Sequence, residues 1–195
     1  MKADPTTPAI HPVTSVSPVL KGLTLTQAES PTQIAQAREL FLEYAKSLGF
    51  SLCFQNFDQE LAGLPGDYSP PEGRFLLAEC DGQPAVCVAL HKLDSGICEM
   101  KRLYLRPQFH GKGLGRTLAE RIMAEARQIG YPRMRLDTVG PAMKDAVAMY
   151  RKLGFKEIAP YRPNPNPGTM YYGVGIVTAD PSYFPRQSQL DRRKS

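Results

Sequence analysis

Three glycines in five positions stand where an apolar run gives way to helical spacing in "RLYLRPQFHGKGLGRTLAERIM", residues 102 to 123. Gly111, Gly113 and Gly115 let the backbone approach a ligand where a Cβ would block it. The first turn of the helix that follows leaves N–H groups without partners, and with the helix dipole they form a site for anions. Successive N–H groups from Gly111 to Arg116 can converge on diphosphate oxygens, with charge added by Lys112 and Arg116. The chain is therefore expected to be an α/β protein in which a strand hands over to a helix at a bound diphosphate. Two familiar phosphate loops do not match. A Walker loop needs Gly five positions before Gly115, where His110 stands; a dinucleotide fingerprint needs Gly where Arg116 or Leu118 stands.

The flanking sequence supplies the other elements. "GLTLTQA" predicts a strand, and "SPTQ" opens a helix with Ser30 as N-cap, Pro31 at the first helical position and Gln33 completing a capping box. Ile34, Ala37, Phe41, Tyr44 and Leu48 follow at helical spacing, Leu40 and Ala45 widen the stripe, and Gly49 ends it. A short apolar run and a second helix near residues 56–63 precede a turn-rich loop. "RFLLAECDGQPAVCVALHKL" predicts a hairpin turning at Asp81-Gly82, and "ICEMKRLYLRP" a third strand stopped by Pro107. After the glycine turn, Leu114, Leu118, Ile122, Ala126 and Ile129 mark one helix face. "RMRLDTV" is a strand, and "AMKDAVAMYRKLGF" a helix burying Met143, Val147 and Tyr150 or their neighbours, closed by Gly154. "FKEIAP" and "TMYYGVGIV" finish as strands, the last weakened or bulged at Gly173 and Gly175. Residues 1–21 lack periodicity and residues 178–195 form a polar basic tail, so both are expected to be disordered or loosely attached around a domain at 22–177.

At 195 residues, 42% hydrophobic and 22% charged, the chain suits one soluble domain. No apolar run approaches the ~18 residues of a membrane span, so no membrane partner is expected. Prolines interrupt the N-terminus where a signal peptide needs an apolar core. With four cysteines that form no C-x-x-C pair, this points to the cytoplasm, with free thiols. Three scattered histidines offer no metal-ligand spacing, so no metal is expected. The net charge of +5 favours an anionic ligand, but no aromatics interleave a basic strand face, which argues against nucleic acid.

The pattern that fits the turn is Gln/Arg-x-x-Gly-x-Gly/Ala, read at His110, Gly113 and Gly115. One strand later, "AVAMYRKLGFKEI" is similar to an A-x-x-L-Y-x-x-x-G-F element. In these two motifs, and in element order over roughly residues 22–177, the chain resembles the GCN5-related N-acetyltransferase (GNAT) family. The resemblance implies a mixed, mostly antiparallel sheet, splayed near its middle, with helices on both faces and acetyl-CoA held in the splay as co-substrate. It implies acetyl transfer to an amine, of a small molecule or peptide, by direct attack in a ternary complex. It also implies cofactor contacts from the main chain of Leu103 and Leu105 and from His110, Gly111, Lys112, Gly113, Leu114, Gly115 and Arg116. A homodimer is compatible with the family, although the residues themselves do not signal one. Two positions depart from the family pattern: His110 replaces the usual Gln or Arg, and Met143 stands where Asn is common.

Tyr150 corresponds to the family tyrosine that donates a proton to the departing CoA thiolate; its spacing also suits a core tyrosine. Glu99 stands on the strand before the loop, where related enzymes often keep a carboxylate that deprotonates the amine directly or through water. The alternative there is a paired strand residue. An amine with a pKa of ~8–10 needs a base or proton path at neutral pH. Simple alternation groups Glu99, Lys101, Leu103 and Leu105 on one face, where burial would raise the pKa of Glu99. Lys101, Arg102, Arg106 and Arg162 are candidates for an acceptor carboxylate or for ordinary ion pairs. Phe54, Phe57 and Tyr68 lie in the segment that in this family closes over the acceptor, or in the core; His91 and Asp137 read as strand residues. No cysteine sits in a nucleophile setting, which argues against a covalent acyl-enzyme. The rival to the whole reading is a non-catalytic module that binds and senses acyl-CoA.

Overall fold

The computed structural model describes residues 19–20, 23–49, 56–80 and 82–176. Its strands are β1 (Val19–Leu20), β2 (Leu23–Gln27), β3 (Arg74–Cys80), β4 (Gln83–Asp94), β5 (Ile97–Leu105), β6 (Arg133–Val139), β7 (Lys156–Glu157) and β8 (Thr169–Gly175). Its helices are α1 (Pro31–Ser47), α2 (Phe57–Ala62), α3 (Leu114–Ile129) and α4 (Lys144–Lys152). The strands form one sheet in the order β1-β2-β3-β4-β5-β6-β8-β7. Every neighbouring pair is antiparallel except β5 and β6, so the sheet is mixed and mostly antiparallel, as expected.

Two cores flank the sheet. Leu118, Ile122 and Ala126 of α3 and Val147 and Tyr150 of α4 pack on Val86, Val88, Leu90, Met100 and Leu136. On the opposite face, Ala37, Leu40 and Phe41 of α1 and Phe57 of α2 pack on Phe75, Leu77, Cys87 and Ala89. Covered on both faces, β4 is buried without a break from Pro84 to Leu90, which explains why its sequence is apolar rather than alternating.

Local signals set the element ends. The Ser30 hydroxyl accepts the Gln33 N–H at 3.2 Å while the Gln33 side chain accepts the Ser30 N–H at 3.0 Å, completing the capping box. Ser30→Ala is expected to cost about 1 kcal/mol of unfolding free energy, read from urea denaturation, because the N-terminal N–H of α1 loses its acceptor. A loss below about 0.2 kcal/mol would show that water caps this helix equally well.

The structure differs from expectation at two places here. Gly173 and Gly175 lie in an unbroken ladder with β6 rather than at a bulge. A Cβ on Gly173 would meet Ile158 at 3.3 Å, so close packing is the reason for glycine there. Val19–Leu20 pair with β2, inside the segment expected to be loosely attached. The remainder of that segment, the tail at 178–195, the apolar run at 50–55 and Asp81 lie outside the described residues.

Candidate active site

The parallel pair β5 and β6 is joined only over Ile97–Glu99 with Arg133–Arg135, and beyond Glu99 the strands diverge. From Lys101 to Leu105, β5 keeps β4 on one edge and, among the described residues, has no strand on the other. Alternate backbone N–H and C=O groups of this stretch therefore face the splay.

A bulge lies within it. Cys87 pairs with Tyr104 and Ala89 with Lys101, so Val88 stands opposite both Arg102 and Leu103. Arg102 takes a φ of 55°, a left-handed conformation rare outside glycine. The extra residue changes which way β5 side chains point. Cys98, Met100, Leu103 and Leu105 all pack in the α3–α4 core. Lys101, Arg102 and Tyr104 face α1 and α2, together with Glu99. Strict alternation, which places Glu99 and Lys101 with Leu103 and Leu105, is thus corrected by the bulge. Arg102 holds the distortion: it is 5% exposed, donates to both oxygens of Glu60 at 2.9 and 2.5 Å, and lies over the Phe57 ring at 5.2 Å.

At the end of β5, a short turn at Pro107–Phe109 leads into the glycines. Gly111 (φ 72°) and Gly113 (φ 76°) both need the left-handed region, and Gly113 is the N-cap of α3. A Cβ on Gly115 would reach only ordinary contact with Met149 and Leu105, at 3.6 and 3.8 Å. Alanine therefore fits at that position, as the motif allows. The first turn of α3 holds no acidic residue, which leaves its N–H groups available to an anion. A ring nitrogen of His110, Nε2, donates to the Leu105 carbonyl at 2.8 Å and fastens the turn to the end of β5. Arg116 pairs with Glu120 at 2.8 Å, and the Lys112 ammonium lies 5.5 Å over the Phe109 ring.

A groove of about 680 Å³ runs from this turn between β5 and α4, walled by Leu103, Leu105, Phe109, Met143, Ala146 and Met149. An anion cradle opening into an apolar channel suits a diphosphate carrying a long, weakly polar arm. The groove shares Tyr44, Leu48, Leu103 and Met143 with a second cavity, in the splay, that also touches Lys101, Asp137, Thr138 and Tyr150. Tyr150 packs edge-on against Phe155 at 5.7 Å. Burial above all, with Tyr44 and Asp137 adding to it, pushes its phenol above the usual tyrosine range.

A third, polar cavity of about 400 Å³ lies on the α2 side, lined by Glu60, Asp67, Tyr68, His91 and Lys101. Lys101 belongs to both this cavity and the splay. Burial pulls its ammonium below the usual lysine range, against the pull of Glu99.

Glu99 is fully buried beside these cavities. Its Oε1 accepts from Tyr161 Oη at 2.7 Å and Arg162 Nη2 at 2.5 Å, and its Oε2 from His91 Nε2 and Arg162 Nη1, both at 2.8 Å. Burial alone would raise its pKa. The His91 hydrogen bond and the charges of Lys101 and Arg162 outweigh that and hold it at about 2. The rise expected from burial is therefore overturned, because each oxygen has two donors. Arg162 also reaches Asp137 at 2.7 Å, and Asn164 donates to the other oxygen of Asp137 at 3.1 Å.

The structure thus places Tyr150 and Lys101 on the splay cavity and Tyr68, His91 and Lys101 on the polar cavity, with Glu99 buried between His91 and Arg162. Arg106 is elsewhere, bound to Glu39 and Glu43 of α1. Phe57 lies beneath Arg102, and Phe54 is outside the described residues. Sequence reasoning missed Glu60 and Tyr161 as partners, and gave His91 no role; the β4–β5 register that pairs His91 with Glu99 is the signal that reveals it. Among the described residues, no group of three or more His, Cys, Asp or Glu side chains is placed to hold a metal ion, and no helix is long and apolar enough to cross a membrane.

Known proteins share this fold. Residues 34–155 match the family model described as the acetyltransferase (GNAT) family. An uncharacterized N-acetyltransferase of Schizosaccharomyces pombe is 38% identical over 151 residues, covering 76% of this chain and 92% of that protein. A GNAT acetyltransferase from Staphylococcus aureus superposes with a TM-score of 0.67 at 16% identity, covering 80% of this chain and 99% of that one. Spermidine N-acetyltransferase from Vibrio cholerae, solved with CoA and spermine, superposes with a TM-score of 0.61 at 17% identity, covering 81% and 98%. The chain belongs to the GNAT family and is an acyl-CoA-dependent N-acetyltransferase.

Proposed function

We propose that this enzyme transfers the acetyl group of acetyl-CoA to the amine of a small molecule or peptide by direct attack in a ternary complex. The observation that carries this reading is the run of three adjoining spaces: the anion turn and its apolar groove, the splay with Tyr150, and the polar cavity with His91 and Lys101. They supply, in order, a place for the cofactor, a reacting centre and a place for the acceptor.

Acetyl-CoA supplies an activated acyl thioester when bound. The N–H groups of Gly111, Lys112, Gly113, Leu114, Gly115 and Arg116 face its diphosphate, with Lys112 and Arg116 adding charge. His110 serves by fixing the turn. Backbone groups of Leu103 and Leu105 hold the pantetheine arm along the open edge of β5, and an N–H there stabilises charge developing on the carbonyl oxygen. As the new C–N bond forms and the C–S bond breaks, the Tyr150 hydroxyl donates a hydrogen bond to the sulfur while negative charge grows there, and the departing thiolate takes its proton from water.

The amine proton leaves toward His91. Glu99, ionised and an acceptor only, takes the Nε2–H, which leaves the Nδ1 lone pair to receive a proton directly or through water. Glu99 therefore acts as a positioning residue for His91 rather than as the immediate base.

The test is acetyl-CoA turnover by free-thiol release over a panel of primary amines. Release that requires an amine supports transfer; saturable CoA binding with no release from any amine supports the sensing module instead. Gly113→Ala is expected to raise KM for acetyl-CoA about tenfold while leaving kcat near wild type. Alanine at a positive φ is strained by ~1–2 kcal/mol, and relief of that strain turns the N–H groups away from the anion. An unchanged KM would remove this turn from cofactor binding.

A further inference from the structure

The polar cavity holds a cation that has charge nearby but, among the described residues, no hydrogen-bond partner. The Lys101 side chain is 10% exposed, and its ammonium is 3.9 Å from Glu99 Oε2, beyond hydrogen-bond reach. Glu99 has no capacity left to approach it. A carboxylate offers about four lone-pair sites, and Tyr161, His91 and the two Arg162 nitrogens occupy them. Glu60, across the cavity, is taken by both donors of Arg102 and by the Tyr68 hydroxyl at 2.6 Å. Among the described residues around the splay, Arg102 pairs with Glu60, and Arg162 pairs with Glu99 and Asp137 through its terminal nitrogens, its Nε being buried without a partner; Lys101 has no carboxylate within hydrogen-bond reach.

Three donors on a desolvated ammonium are costly to leave unmatched. The ligand that matches them is an anion with oxygen acceptors, entering from the cavity that Lys101 lines. We propose that Lys101 binds a carboxylate carried by the acceptor, and that the enzyme acetylates amino acids. The proposal rests on the transferase reading and names its substrate class. Two features favour a free amino acid over a purely cationic amine. A cavity of about 400 Å³ is compact. Lys101, Arg102 and Arg162 balance the carboxylates they pair with, Glu60, Glu99 and Asp137, and Asp67 on the same cavity adds one negative charge, so a zwitterion can set its ammonium toward Asp67 and its carboxylate toward Lys101.

The test compares each L-amino acid, and a series of ω-amino acids, with its own carboxamide, by acetyl-CoA-dependent thiol release. Wild type is expected to favour the carboxylate member of at least one pair by about 10- to 100-fold in kcat/KM, the scale of a charge-assisted contact. Lys101→Met is expected to erase that preference by lowering kcat/KM about 10- to 100-fold more for the acid than for the amide, and Lys101→Arg to restore much of it. Equal rates on acid and amide by wild type, which needs no variant to be folded, would overturn the proposal and leave the transferase reading standing. A preference that survives in Lys101→Met, or an equal loss on both members, would also overturn it. Failure of wild type to release thiol with any acceptor would overturn the transferase reading and this proposal together.

Discussion

Tyr150→Phe is expected to lower kcat about 100-fold while KM for acetyl-CoA stays within about threefold of wild type, measured by thiol release at saturating acceptor. The ring is retained, so its packing on Phe155 and its place in the α3–α4 core survive. The only group removed is a hydroxyl on the wall of the splay cavity. Burial keeps that phenol above the usual tyrosine range, so it stays protonated at any working pH and acts as a donor. A thiolate, with an ordinary pKa near ~8.5, is too weak a base to take the proton in full from such a phenol once it is free in solution. The donor is useful earlier, while negative charge grows on sulfur. Stabilisation confined to that moment changes kcat and leaves ground-state binding alone. For the same reason Tyr150 adds no alkaline limb to the kcat profile below pH 10. A kcat within about threefold of wild type, with thermal stability unchanged, would return Tyr150 to the plain role of a core residue.

The fold was legible because most of its signals are local. Ser30, Pro31 and Gln33 close a hydrogen-bonded box within four residues. Gly111 and Gly113 are needed for their own φ values and not for a distant contact. The faces of α3 and α4 follow from spacing alone. β5 was misjudged because its bulge is not written in its own residues: nothing about Arg102 announces a positive φ. The conformation depends on Glu60, 42 residues earlier, clamping the guanidinium over Phe57. One displaced residue then reversed the assignment of Glu99 and Lys101 to a face.

The candidate site divides the same way. The glycine turn proposed to hold the cofactor is a continuous stretch and could be read residue by residue. The acceptor side is assembled from α2, β4, β5, β6 and the "YRPNPNPG" loop, so the ionic partners of each candidate were invisible without the register. Glu99 shows the consequence. Its burial was anticipated, but the sign of its pKa shift depends on His91 opposite and on Arg162, which lies 63 residues later.

That dependence predicts the second large effect. Arg162→Ala is expected to destabilise the protein by about 3–5 kcal/mol at neutral pH, because it strips two hydrogen bonds and a charge from a buried carboxylate and removes a donor from Asp137. In wild type, Glu99 is held at about 2 against an ordinary value of 4.5. A carboxylate depressed in this way adds stability above its unfolded pKa and loses it as pH falls through the folded value. By that linkage Glu99 contributes about 3 kcal/mol at pH 7, intact down to roughly pH 4.5 and gone below pH 2. Without Arg162, burial is still opposed by the His91 hydrogen bond and the Lys101 charge, and the folded pKa rises toward the ordinary value. Part of the acid-induced loss therefore disappears in the variant. Urea unfolding at pH 7, 5 and 3 reads both effects: the gap between wild type and Arg162→Ala is expected to be widest at pH 7 and to narrow steadily toward pH 3. Parallel curves with a gap below 1 kcal/mol would mean that the Arg162–Glu99 pair stabilises nothing beyond what water and His91 already provide. A wide gap that does not narrow would place the loss in the packing of the loop rather than in the charge of Glu99.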